Sequence, residues 1–206
     1  MSNGLIRVIT YIDGYNLYHG ICDKGWRRYL WLDIYAFSNS LLQFNQELIE
    51  VKYFTADITH NPPKQVRQST YLDALSTLNF VKIIKGKFLE VPFECHLCNK
   101  KDFVYKEKMT DVNIAIEMLL DAQGDSFDTA ILVSADTDLV PIVKYVVQTL
   151  NKRVTIAFPP ERWSDHLKDI TQRHYPIGRD KFAKSQLPPR IKVSGERFLE
   201  RPPEWV

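Results

Sequence analysis

Cysteine is scarce in this sequence, and the few cysteines cannot all pair. Only three of the 206 residues are cysteine. A small and odd number argues against the disulfide framework of a secreted protein and favours a reducing compartment. The chain also lacks an apolar run near the ~20 residues that span a bilayer, and its N-terminus lacks the basic-then-apolar pattern of a signal peptide. We therefore expect a cytoplasmic protein without a membrane partner.

Charge is nearly balanced overall but segregated along the chain. The formal net charge is +2. Residues 110–138 contain acidic side chains but no Lys or Arg, whereas basic side chains outnumber acidic ones over residues 139–193. This segregation fits two solvated faces, and it equally fits a cation site beside a surface that binds a polyanion. The motifs must decide between these interpretations.

Short apolar strands alternate with helical patterns along the chain. We predict strands at 5–12, 48–56, 80–84, 129–134 and 154–158, and helices at 33–44, 62–78, 110–122 and 139–150. This alternation is typical of a parallel sheet covered by helices on both faces, and it predicts a three-layer α/β, Rossmann-like fold. We predict a domain over residues 1–160 with an irregular cysteine-containing loop at 85–108. Residues 161–206 are predicted to form a helix and an extended tail packed on that domain.

Four aspartates follow predicted strands or begin predicted helices. Asp13 follows the first strand, Asp136 and Asp138 follow the strand at 129–134, and Asp111 lies in the first turn of a helix. Because open α/β sheets bind ligands at the carboxyl ends of their strands, we expect these side chains to converge there. Clustered carboxylates repel one another unless a cation neutralises them, and oxygen ligands without histidine or thiolate favour Mg²⁺ or Mn²⁺.

Each aspartate also has an ordinary structural explanation. Asp111 beside Thr110 complements the helix dipole, Asp136 or Asp138 fits the cap of the following helix, and Asp13 before Gly14 fits a turn. These explanations do not account for the convergence of all four carboxylates at one edge of the sheet. The convergence therefore favours a metal site.

The four aspartates lie in three segments, IDGYNL at 12–17, KMTDVNIA at 108–115 and SADTDL at 134–139. These segments resemble, in the same order, the motifs of NYN domains, which belong to the PIN-like nuclease superfamily. The resemblance implies a PIN-like fold and a Mg²⁺- or Mn²⁺-dependent ribonuclease. It implies that the catalytic, metal-binding residues are Asp13, Asp111, Asp136 and Asp138. Asn16 and Ser134 match the polar positions of these motifs that would orient waters or an aspartate side chain.

Basic residues are the expected contacts with RNA. These are Lys108 and, near the C-terminus, Arg179, Lys181 and Lys184, which are interleaved with aromatic residues. Lysine and arginine neutralise phosphates while aromatic rings stack on bases, a combination that holds single-stranded nucleic acid. The expected partner is RNA, either single-stranded or structured, and both endonuclease and exonuclease activity fit the sequence. The alternative is a non-catalytic RNA-binding or scaffold module that retains the NYN fold.

Cys95 and Cys98 have the two-residue gap of a zinc knuckle. A closed structural zinc site needs four ligands, and this sequence offers no second pair at ligand spacing. We favour reduced cysteines in a surface loop. The alternative is half of a zinc site that two copies of the chain share in a homodimer.

Overall fold

A seven-stranded sheet forms the centre of the computed structural model, which describes residues 4–94, 101–194 and 197–206. Its strands are β1 (Ile6–Asp13), β2 (Gln46–Ala56), β3 (Val81–Glu94), β4 (Lys101–Lys108), β5 (Thr129–Val133), β6 (Arg153–Phe158) and β7 (Arg173–Pro176). Their order in the sheet is β4-β3-β2-β1-β5-β6-β7. Neighbouring strands are parallel, except that β4 pairs antiparallel with β3.

Helices cover both faces of the sheet. They are α1 (Gly14–Asp23), α2 (Ile34–Ser40), α3 (Pro62–Leu75), α4 (Thr110–Gln123), α5 (Val140–Gln148), α6 (Asp165–Asp169) and α7 (Arg179–Lys184). Alternate residues of β1 join different apolar clusters: Val8 and Ile12 pack with α1, α2 and α3, whereas Ile9 and Tyr11 pack with α4 and α5. The predicted α/β fold with a mostly parallel sheet is confirmed. Within the described ranges, no helix combines the length and apolar content needed to cross a bilayer.

The structure differs from the sequence prediction over residues 85–108. β3 continues to Glu94, and β4 pairs with it from Lys87 opposite Lys108 to Glu94 opposite Lys101. Most side chains of this hairpin are exposed or only partly buried, so burial imposes no apolar alternation on the sequence. Backbone pairing therefore forms an element that hydrophobic periodicity does not reveal.

Two smaller differences concern helices on the same side of the sheet. The sequence analysis did not predict α1, which begins directly after β1. The helix predicted at 33–44 ends at Ser40, and Phe44 is 91% exposed rather than part of a buried stripe. Asn45 has a positive φ of 63°, which turns the chain into β2.

Residues after 160 contribute to the sheet and to its core. β7 pairs with β6 at the edge of the sheet, and Phe182 of α7 stacks on Phe37 with ring centroids 5.2 Å apart. A two-stranded ribbon, β8 (Arg190–Ser194) and β9 (Arg197–Glu200), precedes a short 3₁₀ turn that buries Trp205. The C-terminal region is thus packed on the sheet through both backbone and side chains.

Candidate metal centre

The direction in which successive strands are added to the sheet reverses at β1. From β1 it proceeds through β2 and β3 to one side, and then through β5, β6 and β7 to the other side. The carboxyl ends of β1 and β5 are adjacent, because Ile12 pairs with Val133. Such a switch point is where open α/β sheets bind ligands. Asp13 ends β1 there, and the segment from Ser134 to Asp136 follows β5.

Three of the four predicted aspartates converge at this switch point. Asp13, Asp111 and Asp136 each present one carboxylate oxygen, and these oxygens all lie within 4.8 Å of one another. Asp13 is buried, whereas Asp111 and Asp136 are half-buried. An oxygen-only donor set of this kind fits Mg²⁺ or Mn²⁺ better than zinc.

Both carboxylate oxygens of Asp13 accept hydrogen bonds. Oδ1 accepts a hydrogen bond from the backbone N–H of Asn16 at 2.9 Å, which caps α1, and Oδ2 accepts one from the Ser134 hydroxyl at 2.9 Å. Ser134 Oγ accepts from the backbone N–H of Asp136 at 3.0 Å. Asn16 Oδ1 accepts from the backbone N–H of Ala135 at 3.2 Å. Asn16 and Ser134 therefore connect the end of β1 to the loop after β5.

Gly14 allows α1 to start directly beside β2. A Cβ at this position would lie 2.6 Å from the carbonyl oxygen of Phe54 and 2.7 Å from the ring of Tyr53. Real Cβ atoms do not approach backbone that closely. Glycine after Asp13 thus fixes where the first helix leaves the sheet, and with it the position of the Asp13 carboxylate.

Burial and mutual repulsion raise the pKa values of the clustered carboxyl groups. Burial is the main cause for Asp13, and Asp111 and Asp136 add to it, while the hydrogen bonds from Asn16 and Ser134 oppose it; the resulting pKa is about 6. The pKa of Asp111 is raised by burial and then by the neighbouring Asp136 and Asp138. Metal-free, the cluster carries an electrostatic cost that a divalent cation would relieve.

Glu107, which the sequence analysis missed, faces the same cluster from β4. Its Oε1 is buried and has no hydrogen-bond partner among the described residues. Burial, followed by the charges of Asp13, Asp111 and Asp136, raises its pKa to about 7. An unpartnered buried carboxylate oxygen beside three others is the observation that best fits a cation or its water at this place.

Asp138 lies at the rim of the cluster. It is exposed, and its backbone N–H donates to Asp136 Oδ1 at 2.9 Å. Asp138 is not part of the group of carboxylates within 4.8 Å that the described residues form. Its charge still acts on Asp111.

The predicted RNA-binding residues occupy two separate places. Lys108 is exposed at the end of β4, next to Glu107. On α7, Arg179 Nε donates to the Tyr29 hydroxyl at 2.9 Å, Lys181 Nζ donates to the Ser40 carbonyl at 2.5 Å, and Lys184 is exposed. Arg179 and Lys181 thus hold α7 against the region around α2. The predicted zinc ligands, Cys95 and Cys98, lie outside the described residues.

An aromatic row extends from the cluster along the β3–β4 hairpin. Tyr15 of α1 contacts Phe88 with ring centroids 5.7 Å apart, and His60 contacts Phe88 at 5.2 Å. His60 also stacks on Tyr105 at 4.3 Å with nearly parallel rings. Phe88 pairs directly with Glu107 across the hairpin, so the row begins at the carboxylate cluster.

A cavity of about 120 Å³ lies between α1, β2 and α3. Its lining begins at Gly14 and Tyr15, immediately after Asp13, and includes Tyr18 and Tyr71. Trp205 from the C-terminal region completes the lining. The carboxylate cluster therefore has an aromatic cavity as a direct neighbour.

Comparison with known proteins agrees with this architecture. A solved structure of a protein of unknown function, VPA0982 from Vibrio parahaemolyticus, has the same fold with a TM-score of 0.58 and 22% identity, covering 87% of this chain and 98% of that one. The 6-hydroxy-3-succinoylpyridine 3-monooxygenase HspA of Pseudomonas putida is 26% identical over 97% of this chain and 75% of its own length. The NYN domain model matches residues 7–178. The chain therefore belongs to the NYN domain family.

Proposed function

We propose that this protein is a Mg²⁺- or Mn²⁺-dependent ribonuclease that hydrolyses RNA phosphodiester bonds. The observation that carries the proposal is the convergence of Asp13, Asp111 and Asp136 within 4.8 Å at the switch point of the sheet. Membership of the NYN family, whose domains generally act on RNA, supports this reaction class.

The carboxylates of Asp13, Asp111 and Asp136 would hold the cation. When bound, a divalent ion supplies Lewis-acid polarisation of the scissile phosphate and makes a nearby water more acidic. Asn16 and Ser134 keep Asp13 in one orientation through the hydrogen bonds to its two oxygens. Glu107 Oε1, which has no hydrogen-bond partner among the described residues, would orient the attacking water and accept its proton.

RNA is proposed to approach along the hairpin. Lys108 would neutralise a phosphate next to the cluster, and the ring faces of Phe88 and Tyr105 would stack on bases. Arg179 and Lys181 are engaged with Tyr29 and Ser40, so α7 is proposed as a secondary contact through the exposed Lys184.

The proposal is tested by cleavage of labelled mixed RNAs with Mg²⁺ or Mn²⁺ and with EDTA. We expect cleavage only with the metal, and a loss of at least about 100-fold in Asp136→Asn. Asp169→Asn is the control, because it removes the same charge from an exposed side chain on α6 outside the carboxylate group; it should stay within a few-fold of wild type. An Asp136→Asn variant as active as wild type would show that the assigned site is wrong.

RNA binding on the same preparations distinguishes the alternative function. A ribonuclease should lose cleavage but keep RNA affinity in Asp136→Asn, because that carboxylate repels the phosphate rather than attracting it. Tight RNA binding by wild type without turnover in any metal would instead identify a non-catalytic RNA-binding module.

Hydroxylation of a small pyridine is a second candidate function. The name of the Pseudomonas putida relative specifies a substituted pyridine as substrate, and here an aromatic cavity lies beside the carboxylates. This reaction would insert one oxygen atom of O₂ into the ring and reduce the other to water with two electrons from a donor. Incubation with 6-hydroxy-3-succinoylpyridine, air and a reduced nicotinamide or flavin tests it through substrate loss.

A further inference from the structure

The cavity beside α1 has the size of a single aromatic ring. Its volume is about 120 Å³. A protein cavity of roughly 150 Å³ lined by apolar side chains holds one benzene molecule. A volume of this order matches one six-membered ring more closely than the fused two-ring system of a purine.

Aromatic side chains from four parts of the chain line the cavity, together with leucine and isoleucine side chains. Tyr18 of α1, Tyr53 of β2, Tyr71 of α3 and Trp205 all line it. Tyr71 and Trp205 pack edge to face with ring centroids 5.8 Å apart, and Tyr53 and Tyr71 do so at 6.3 Å. The rings of the wall thus pack against one another. Flat, rigid walls of this kind favour a planar aromatic guest over an aliphatic one.

Two hydroxyl groups give the cavity polarity that suits a ring with carbonyl oxygens. Thr55 lines the cavity and its Oγ1 accepts from Gln68 Nε2 at 3.3 Å, which leaves the Thr55 hydroxyl proton to donate. Burial raises the pKa of Tyr53 above its ordinary value, so its hydroxyl stays protonated at neutral pH and is also a donor. The pyrimidines uracil and cytosine both present a ring carbonyl oxygen.

A cation lies at the cavity and suits a ring that carries a phosphate. Lys64, in the first turn of α3, lines the cavity and is exposed. Arg67, one turn further, also lines it but is paired with Glu204 at 2.8 Å. Lys64 is thus the group best placed to meet an anion attached to a ring inside the cavity.

We propose that this cavity binds one pyrimidine base of the RNA substrate, with the 5′-phosphate of that nucleotide on Lys64. The inference rests on the proposed ribonuclease function and adds a base preference to it. Because Gly14 and Tyr15 both follow Asp13 and line the cavity, a base held there places the 3′-phosphodiester of its nucleotide beside the carboxylate cluster. Cleavage should then occur next to pyrimidines.

The test measures nucleotide binding without cleavage. Calorimetric titration of the full chain in EDTA should give at least tenfold tighter binding of uridine 5′-monophosphate than of adenosine 5′-monophosphate or inorganic phosphate. Thr55→Val should weaken uridine monophosphate binding several-fold, with Thr70→Val, on α3 but outside the cavity lining, as its control. Lys64→Gln should do the same, with the exposed Lys144→Gln as its control.

Failure of this proposal is distinguishable from failure of the proposed function. Equal affinity for the two nucleotides, or no binding of uridine monophosphate, overturns the pyrimidine site even if RNA is cleaved. Selective uridine monophosphate binding supports the cavity assignment even if no metal gives cleavage, which would count only against the ribonuclease. Where cleavage occurs, mapped cuts without any pyrimidine preference would also overturn the proposal.

Discussion

Asp13 has two roles at the residue scale, because the same carboxylate caps α1 and faces the other aspartates. Its hydrogen bonds with Asn16 and Ser134 stabilise the charged form, yet burial dominates and its pKa is about 6. The metal-free protein thus holds an acid whose ionised form is disfavoured. The cost of ionising this buried carboxyl group predicts how the free energy of unfolding depends on pH.

In EDTA, Asp13→Asn should melt at a higher temperature than wild type at pH 7.5. The folded-state pKa of about 6 lies above the ordinary 3.8, so the folded state binds more protons between these values. The contribution of Asp13 is fully present below pH 3.8 and is lost as the pH rises through about 6. The difference corresponds to about 3 kcal/mol at most. Melting curves from pH 4.5 to 8 should show the two proteins converging towards the acidic end.

Saturating Mn²⁺ provides the internal control for this prediction. The ion stabilises only a folded state that retains its carboxylate ligands, so the order of melting temperatures should reverse at pH 7.5. If the Asn variant is the less stable protein in EDTA at pH 7.5, the carboxylate of Asp13 does not carry the expected cost.

Glu107→Gln should slow RNA cleavage by about 100-fold or more, the usual loss for a removed general base. Its effect on the Mn²⁺-induced rise in melting temperature should be smaller than that of Asp136→Asn, because Glu107 is proposed to act on the water. Glu90→Gln is the control, since Glu90 lies on the same face of the hairpin but bonds the Tyr105 hydroxyl at 2.8 Å. A Glu107→Gln variant that loses the Mn²⁺ response as fully as Asp136→Asn would identify a metal ligand instead.

The sequence predicts Asp13, Asp111 and Asp136 because each lies at a strand end or a helix start. Glu107 carries no such signal. It reaches the cluster because β4 pairs it with Phe88, and because Met109 adopts a positive φ of 79° that turns the chain directly into α4. Both causes depend on strand register and turn geometry, which cannot be predicted from hydrophobic periodicity.

At the scale of elements, a buried ionic network fixes α4 to the sheet. Lys52 of β2 is 4% exposed, and its Nζ lies 2.5 Å from Asp121 and 2.8 Å from Glu117, both on α4. The Tyr11 hydroxyl donates to the same Asp121 at 2.5 Å. Since α4 begins with Asp111, this network also sets the position of one carboxylate of the cluster.

Lys52→Met should destabilise the protein by about 3 kcal/mol, because it leaves the Asp121 carboxylate, which is 15% exposed, without its cation. Lys82→Met is the matched control: Lys82 also pairs with Glu117, at 3.1 Å, but its side chain is 49% exposed, so its loss should cost less than about 1 kcal/mol. Urea unfolding at neutral pH measures both. Equal and small losses in the two variants would show that Lys52 does not anchor α4.

Some helices and strands were predictable from sequence patterns alone. Strands buried on both faces, such as β5, appear as continuous apolar runs, and α3 begins at the predicted Pro62. The β3–β4 hairpin was missed because its side chains are mostly exposed. Elements formed by burial were mostly predictable, with α1 as the exception, and an element formed by backbone pairing was not.

At the scale of the whole molecule, side chains from the N-terminal half and from the C-terminal region pack in the same core. Trp31, near α2, donates from Nε1 to the Pro188 carbonyl at 2.8 Å and contacts Trp205 at 6.3 Å. Phe37 stacks on Phe182. Side chains after residue 160 thus cover fully buried aromatic rings of the N-terminal half.

A chain of residues 1–160 should therefore not unfold cooperatively, although the sequence analysis placed a domain boundary there. The truncation removes β7 from the edge of β6 and uncovers Trp31 and Phe37, both fully buried in the full chain.

A point variant tests the same packing of the C-terminal region. Trp205→Ala should cost about 3 kcal/mol or more, as large-to-small substitutions of buried aromatic residues do. Phe198→Ala is its control, since Phe198 is 38% exposed and should cost about 1 kcal/mol. Thermal melts followed by circular dichroism measure all three proteins. A sharp melt of the 1–160 chain near that of the full chain would establish the C-terminal region as a separable appendage.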